Sequence, residues 1–230
     1  MHNYGGHPFN GHPGTIKDRL ADFLIAVGDA LNHAIKPDAE TRAAVNAIMG
    51  KLPASISASI SVGTMPTPGR LAASGTFDTA LAASEAGPAH TARVARTLRV
   101  LEPHCRWLQN PNYNARNQGP GFMAGQCYVL PVGPAANRGL VPSDELLVSV
   151  MLMAPGVYYR EHAHPAPELY VILTGESFWR RGGEPWRRHG TGALIHHAPH
   201  QIHATQADTG PLLCLAIWYN DIAAHARVVS

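Results

Sequence analysis

Residues 156–175 read GVYYREHAHPAPELYVILTG, from Gly156 to Gly175. His162 and His164 are two apart, so on a strand both side chains point to one face. Glu168 follows across the corner Pro165-Ala166-Pro167, at the head of the apolar run Leu169–Leu173. A turn at that corner folds its carboxylate back towards the imidazoles. Imidazole and carboxylate together suit Zn, Fe, Mn, Ni or Co. A later stretch, 192–203, reads GALIHHAPHQIH and ends on His203, just past a Pro-containing turn and at the mouth of a new strand. His203 is the expected fourth ligand, and His200 is its rival three residues earlier.

Outward from this stretch the second half of the chain keeps one character. Short β-prone runs at Phe122–Leu130, Leu146–Met153, Leu169–Leu173, Ser177–Arg180, Ala193–His196 and Leu212–Tyr219 are punctuated by Gly and Pro. Strands this short, with turns and no helix between them, predict an antiparallel barrel or sandwich. The first half differs. Leu20, Phe23, Leu24, Val27 and Leu31 recur at helical spacing. Asp38 predicts the cap of a second helix, with Val45, Ile48 and Met49 inward and Gly50 as terminator. Residues 52–70 read as a Ser/Pro-rich loop. A third helix is predicted over 89–108, with Val94, Leu98, Leu101 and Trp107 inward and Pro103 as a break. The expected organisation is a helical region over 1–115, loose at its Gly/His/Asn/Pro start, and a β-barrel over 116–230.

Composition sets the outer limits. The chain has 230 residues, 45% of them apolar and only 15% charged, with 22 Gly and 19 Pro. That suits a turn-rich β protein. The formal net charge is +2 and no Lys/Arg block stands out, so neither nucleic acid nor an anionic membrane is indicated as partner. There is no apolar run near the length of a membrane span, and the start MHNYGGHPFNGHPG lacks the pattern of a secretory signal. Three well-separated cysteines are no disulfide framework and fit a reducing compartment. The reading is a soluble, cytoplasmic protein. Histidine is the unusual residue: of 14, seven fall between His162 and His203.

A lone His-x-His is more often solvated than metal-bound. Here the fixed spacing G-x5-HxH-x3-E-x6-G is similar to the first cupin motif at every fixed position: Gly156, His162, His164, Glu168 and Gly175. The second motif, G-x5-PxG-x2-H-x3-N, keeps Gly192 and His203, while Ala198-Pro199-His200 replaces Pro-x-Gly and Gln206 or Ala207 falls near the Asn position. That departure touches the turn and leaves the ligand. The resemblance implies a mainly β fold with α: a C-terminal cupin, a double-stranded antiparallel β-helix or jelly-roll barrel, preceded by a helical region. It implies one divalent transition-metal ion on His162, His164, Glu168 and His203, and it leaves a homodimer available to the chain.

Over residues 105–220 the sequence resembles the cupin-type dimethylsulfoniopropionate (DMSP) lyases, especially their longer members. The resemblance implies a carbon–sulfur lyase acting on a small carboxylate, with Tyr170 of the Glu-x-Tyr step as base and Tyr159 as a second residue of the catalytic pocket. Strict strand alternation turns Tyr159 away from His162, so a bend near Gly156 is required. The substrate's sulfonium would lie on an aromatic face, and Tyr158, Trp179, Trp186 and Trp218 are the candidates beside Tyr159. Other readings share the metal: a dioxygenase, an isomerase or another lyase on a different small carboxylate, or a non-catalytic cupin that binds a small molecule.

Overall fold

Thr15 starts the first helix. Its side chain accepts from the Asp18 backbone N–H, and the Asp18 carboxylate accepts from the Thr15 N–H in return, a capping box. The computed structural model describes residues 14–33, 38–59, 67–137 and 139–229. The Gly/His/Asn/Pro start at 1–13 and residues 60–66 of the expected loop lie outside the described residues. The helices are α1 (Ile16–Asn32), α2 (Ala39–Ser59), α3 (Phe77–Glu85), α4 (Ala89–Leu101) and α5 (Pro120–Gly125). The strands are β1 (Gln126–Gly133), β2 (Val141–Pro142), β3 (Leu146–Met153), β4 (Tyr158–Ala163), β5 (Glu168–Thr174) and β6 (Ser177–Arg181). They continue with β7 (Arg187–His189), β8 (Leu194–His197), β9 (His203–Ala207), β10 (Leu212–Tyr219) and β11 (Arg227–Val228).

Several local expectations are corrected. Gly50 does not end α2, which runs through Pro53 to Ser59 and takes in the first part of the expected loop. Val45, Ile48, Leu52 and Ser55 form a buried stripe at helical spacing, while Pro53 sits on the exposed side. An interior proline costs about 3 kcal/mol, and packing of that stripe offsets it. Helix α4 stops at Leu101, and Pro103 lies in a 3-10 turn over Glu102–His104. Trp107 is nonetheless buried, its Nε1–H donating to Glu102 at 2.7 Å. Helix α3 was not expected, although Phe77, Ala80, Leu81 and Ser84 carry helical spacing and are all buried. Phe122, read as a strand start, belongs to α5.

The strands form two sheets, ordered β2-β1-β3-β10-β5-β8 and β11-β4-β9-β6-β7. Pairing is antiparallel except between β1 and β2. This is a double-stranded β-helix with helices laid on one sheet. Strand alternation explains the layering. In β5, Leu169, Val171 and Leu173 join one core with Leu24, Leu98 and other helix residues. Tyr170 and Ile172 join a second cluster inside the barrel. In β10, Leu213, Leu215 and Ile217 face the helices, and Cys214 and Ala216 face the interior. A sheet covered on both faces reads as continuous apolar runs, which is why LYVIL and LLCLAIWY show no polar alternation.

Gly175 closes the turn from β5 to β6 at φ +95°, where a Cβ would stand 2.4 Å from the Pro211 carbonyl oxygen. Both facts require glycine. Among the described residues no helix is long and apolar enough to cross a membrane.

Candidate active site

Three strands and a turn bring four side chains together. His162 comes from β4, His164 from the turn after it, Glu168 from the first position of β5 and His203 from the first position of β9. His162 and His203 are direct cross-strand partners, their ring centroids 4.0 Å apart. All four residues are at most 3% exposed. The ligand atoms of the three histidines lie within 4.8 Å of one another.

Each imidazole is oriented by a main-chain carbonyl. Nδ1–H of His162 donates to Arg160, that of His164 to Ala166 and that of His203 to Gln201, each at 2.8 Å. A carbonyl only accepts, so the ring proton sits on Nδ1 and the Nε2 lone pairs turn inward. His164 Nε2 lies 3.0 Å and His203 Nε2 3.2 Å from the same oxygen of Glu168, Oε2. His203 Nε2 is buried and makes no directed hydrogen bond. Lone pairs facing a carboxylate at this range need a proton or a cation between them. Burial, then the charge of His203, holds His162 well below the usual imidazole range, favouring the neutral ligand form. Burial alone would raise Glu168, but His164 and His203 outweigh it and hold the carboxyl well below its usual range. These residues fit a divalent metal, and the buried histidine triad could hold one.

The other oxygen of Glu168 has its own donor. Trp218 Nε1–H donates to Oε1 at 2.6 Å, and the indole stacks on His164 at 4.0 Å and 21°. Sequence reasoning placed Trp218 only among possible substrate contacts. Its position on β10 directly opposite Glu168 was not legible without the sheet register.

Tyr170 lies two residues from Glu168 and lines the same cavity, 2% exposed. Burial, then the negative charge of Glu168, pushes its phenol well above the ordinary range. Tyr159 reaches the site by a different route from the expected bend at Gly156. The β4–β9 register shifts between Tyr159 and His162. That bulge puts both side chains on the inner face, where the rings stack at 3.7 Å and 6°. Tyr113, which no sequence pattern marks, joins them with its hydroxyl 2.8 Å from that of Tyr159.

Strand alternation carries Tyr158 to the opposite face from Tyr159. There it donates to Glu161 at 2.7 Å and meets Trp186 edge-on. Trp186 lies under the Arg180 guanidinium and is 37% exposed. Neither residue, both expected at the substrate, lines the cavity. Trp179 is buried behind the site, packed on Tyr170 at 4.6 Å with Nε1–H donating to Ser177, and it too is off the cavity wall. His200 is exposed and takes the left-handed conformation, φ 60°, that the Gly of Pro-x-Gly would supply. Its backbone N–H donates to the His164 carbonyl while its side chain stays outside, so His203 and not His200 joins the histidine cluster.

The cavity measures about 70 Å³. At the ~10–15 Å³ that a water takes by this measure, it suits a small molecule. Tyr113, Tyr128, Tyr159, Tyr170, Trp218 and Met151 give it an aromatic and apolar wall.

A two-sheet barrel of this topology, with imidazoles and a carboxylate converging inside it, is a cupin. Within that class the chain belongs to the dimethylsulfoniopropionate lyase family, whose model matches residues 45–214. Dimethylsulfoniopropionate lyase DddQ from Ruegeria pomeroyi is 36% identical over 113 residues, covering 48% of this chain and 53% of that protein. The chain thus spans about half the length of the curated relative it matches. The crystal structure of DMSP lyase DddQ from Ruegeria pomeroyi aligns with a TM-score of 0.61 at 24% identity, over 92% of this chain and 97% of that one. A chain from the crystal structures of the DMSP lyases RdDddP and RnDddQII aligns with a TM-score of 0.69 at 20% identity, over 94% and 100%. At these identities the structural likeness shows the fold.

Proposed function

We propose that this chain is a metal-dependent carbon–sulfur lyase that cleaves DMSP into dimethyl sulfide and acrylate. The observation that carries the reading is the inward convergence of three carbonyl-pinned imidazoles on Glu168 beside a small cavity walled by tyrosines. Membership of the DMSP lyase family supports the substrate.

His162, His164, Glu168 and His203 would hold one divalent ion, and this donor set accepts Zn, Fe, Mn, Ni or Co. When bound, such an ion supplies Lewis-acid charge for the substrate carboxylate and for the enolate-like charge that develops beside it. The chain's own residues do the remainder. Tyr170 takes the proton from Cα. The electron pair left behind forms the Cα–Cβ double bond, the Cβ–S bond breaks, and dimethyl sulfide leaves with that bonding pair. A buried phenol beside Glu168 holds its proton tightly, so Tyr170 serves as base only with compensating positive charge nearby. Tyr159 and Trp218 offer ring faces to the sulfonium, a contact worth roughly 0.5–2 kcal/mol. The buried walls keep water from competing for the developing charge.

The test is headspace dimethyl sulfide, with acrylate in solution, from metal-loaded wild type and Tyr170→Phe. Equal amounts of both products are expected from wild type, and a loss of at least ~100-fold from the variant. A folded, metal-loaded protein that releases neither product would overturn the lyase. Undiminished turnover by Tyr170→Phe would remove the base assignment.

A further inference from the structure

We propose that Gln126 is a specificity-determining residue: its side-chain amide, unpaired within the protein, turns its oxygen to the cationic end of the substrate while the metal site takes the carboxylate. The choice of a sulfonium as that cation rests on the lyase reading, whereas the unpaired amide is a feature of the cavity itself.

Strand alternation places the side chain. Gln126 opens β1, and Gln126, Tyr128 and Leu130 all line the cavity, while Cys127 and Val129 belong to the core beneath the helices. The backbone of Gln126 is engaged on both sides. Its N–H donates to the Phe122 carbonyl at the end of α5, and its carbonyl accepts Gln109 Nε2 at 2.7 Å. What the residue offers to the cavity is therefore its side-chain amide. Gln126 is 4% exposed, and its Oε1 is buried without a hydrogen-bond partner. Of the buried side-chain atoms left without a partner among the described residues, this one belongs to the cavity wall. Nor does any described residue bond Nε2. With neither end held, a half-turn of the amide exchanges its oxygen and nitrogen at little cost, so the oxygen can meet a cation whichever way the group rests.

A buried amide costs free energy unless something pairs with it. Neighbouring polar groups on the wall are already engaged elsewhere. Ser149 Oγ donates to the Ala216 carbonyl at 3.0 Å, and Asn110 Nδ2 to the Ala226 carbonyl at 3.0 Å. The cavity also has two chemically different sides. Glu168 and Tyr170 come from β5, and Gln126 comes from β1, three places along the same sheet. Glu168 is the one carboxylate among the described lining residues, and it faces the imidazoles. A second carboxylate in so buried a space would be costly and would repel that of the substrate. An amide oxygen supplies partial negative charge without either penalty. Tyr128 and Met151, cross-strand partners that also line the cavity, add apolar surface for methyl groups on the cation. A sulfonium has no proton to donate, so it is met by a dipole and by ring faces rather than by a hydrogen bond. Its charge vanishes as dimethyl sulfide leaves, so the contact favours bound substrate over the transition state.

The experiment compares two probes of one shape on metal-loaded wild type, Gln126→Leu and Gln126→Met. One probe is 3-(trimethylammonio)propionate, cationic at its far end; the other is 4,4-dimethylpentanoate, in which carbon replaces that nitrogen. Calorimetry reads both affinities, steady-state kinetics reads kcat and KM for DMSP, and thermal unfolding reads stability. In both variants the ratio of affinities, cationic over neutral, should fall roughly 3- to 10-fold, the usual worth of one polar contact. KM for DMSP should rise by a similar factor with kcat held or raised. The unfolding midpoint should hold or rise, because no hydrogen bond within the protein is lost. An unchanged ratio would overturn the proposal, as would a wild type that binds neither probe. A lowered midpoint with equal losses for the two probes would make Gln126 a structural residue and overturn it as well. If wild type releases no dimethyl sulfide, the lyase reading fails by itself, and the two probes still decide the role of Gln126.

Discussion

Trp218→Phe tests how Glu168, the proposed carboxylate ligand, is held. The indole N–H donates to Glu168 Oε1 at 2.6 Å, and the indole face stacks on His164 at 4.0 Å. Phenylalanine retains a stacking ring and removes the donor. A hydrogen bond to a charged group is worth about 1.5–3 kcal/mol, and Glu168 is only 1% exposed, so water cannot replace the donor. Converted at about 1.4 kcal/mol per tenfold, the loss is roughly 10- to 150-fold in metal affinity. That agrees with the ~10–100-fold typical of groups that orient metal ligands. The assay is competition for one equivalent of Zn²⁺ against a chromophoric chelator at pH 7.5, with circular dichroism as the check on folding. Wild-type affinity in a well-folded Trp218→Phe protein would refute the reasoning, because Glu168 would then need no orientation from the indole.

Gly175→Ala combines a left-handed backbone with a Cβ 2.4 Å from the Pro211 oxygen, so chemical denaturation should show a loss of about 3 kcal/mol or more; a loss under about 1 kcal/mol would contradict it. Glu102 is buried and receives Arg70 at 2.9 and 3.1 Å and Trp107 at 2.7 Å. Arg70 is half-exposed, so Glu102→Ala should cost about 2 kcal/mol rather than the larger penalty of a fully buried pair, with metal affinity unchanged. In metal-free protein, burial holds His162 and His197 well below the usual imidazole range. Unfolded imidazoles take up protons below about pH 6.5 while the folded ones resist, so the stability held above that pH is lost as pH falls. Glu168, also depressed, adds a second loss below about pH 4.3. Thermal unfolding between pH 7.5 and 5 should show the first decline, and a flat profile there would contradict it.

The barrel half of the chain was legible because its signals are local. Leu146–Met153 and Leu212–Tyr219 appear as strands with the expected limits, since β propensity and flanking turns lie within the strands themselves. The four convergent side chains could be read because their spacing is fixed by one strand, one corner and one later strand. What escaped depends on register and on contacts distant in sequence. The bulge that turns Tyr159 inward is one extra residue in β4 against β9, and no local pattern marks it. Tyr113 sits in an aperiodic loop and meets Tyr159, 46 positions away, only once the barrel has closed. Trp218 faces Glu168 through the β5–β10 pairing. In the helical half, Gly50 and Pro53 are stop signals by propensity, and α2 continues because its buried stripe packs on the sheet.

The central claim is that His162, His164, Glu168 and His203 hold the ion on which DMSP cleavage depends. Its most direct test is acrylate formation by protein stripped with a chelator and then titrated separately with Zn²⁺, Fe²⁺, Mn²⁺, Ni²⁺ and Co²⁺, beside His203→Ala. Activity should be absent after stripping, return to a plateau at one equivalent of at least one of these ions, and stay at least ~100-fold lower in His203→Ala. Full activity in the stripped protein, or a His203→Ala variant that turns over like wild type, would contradict the account.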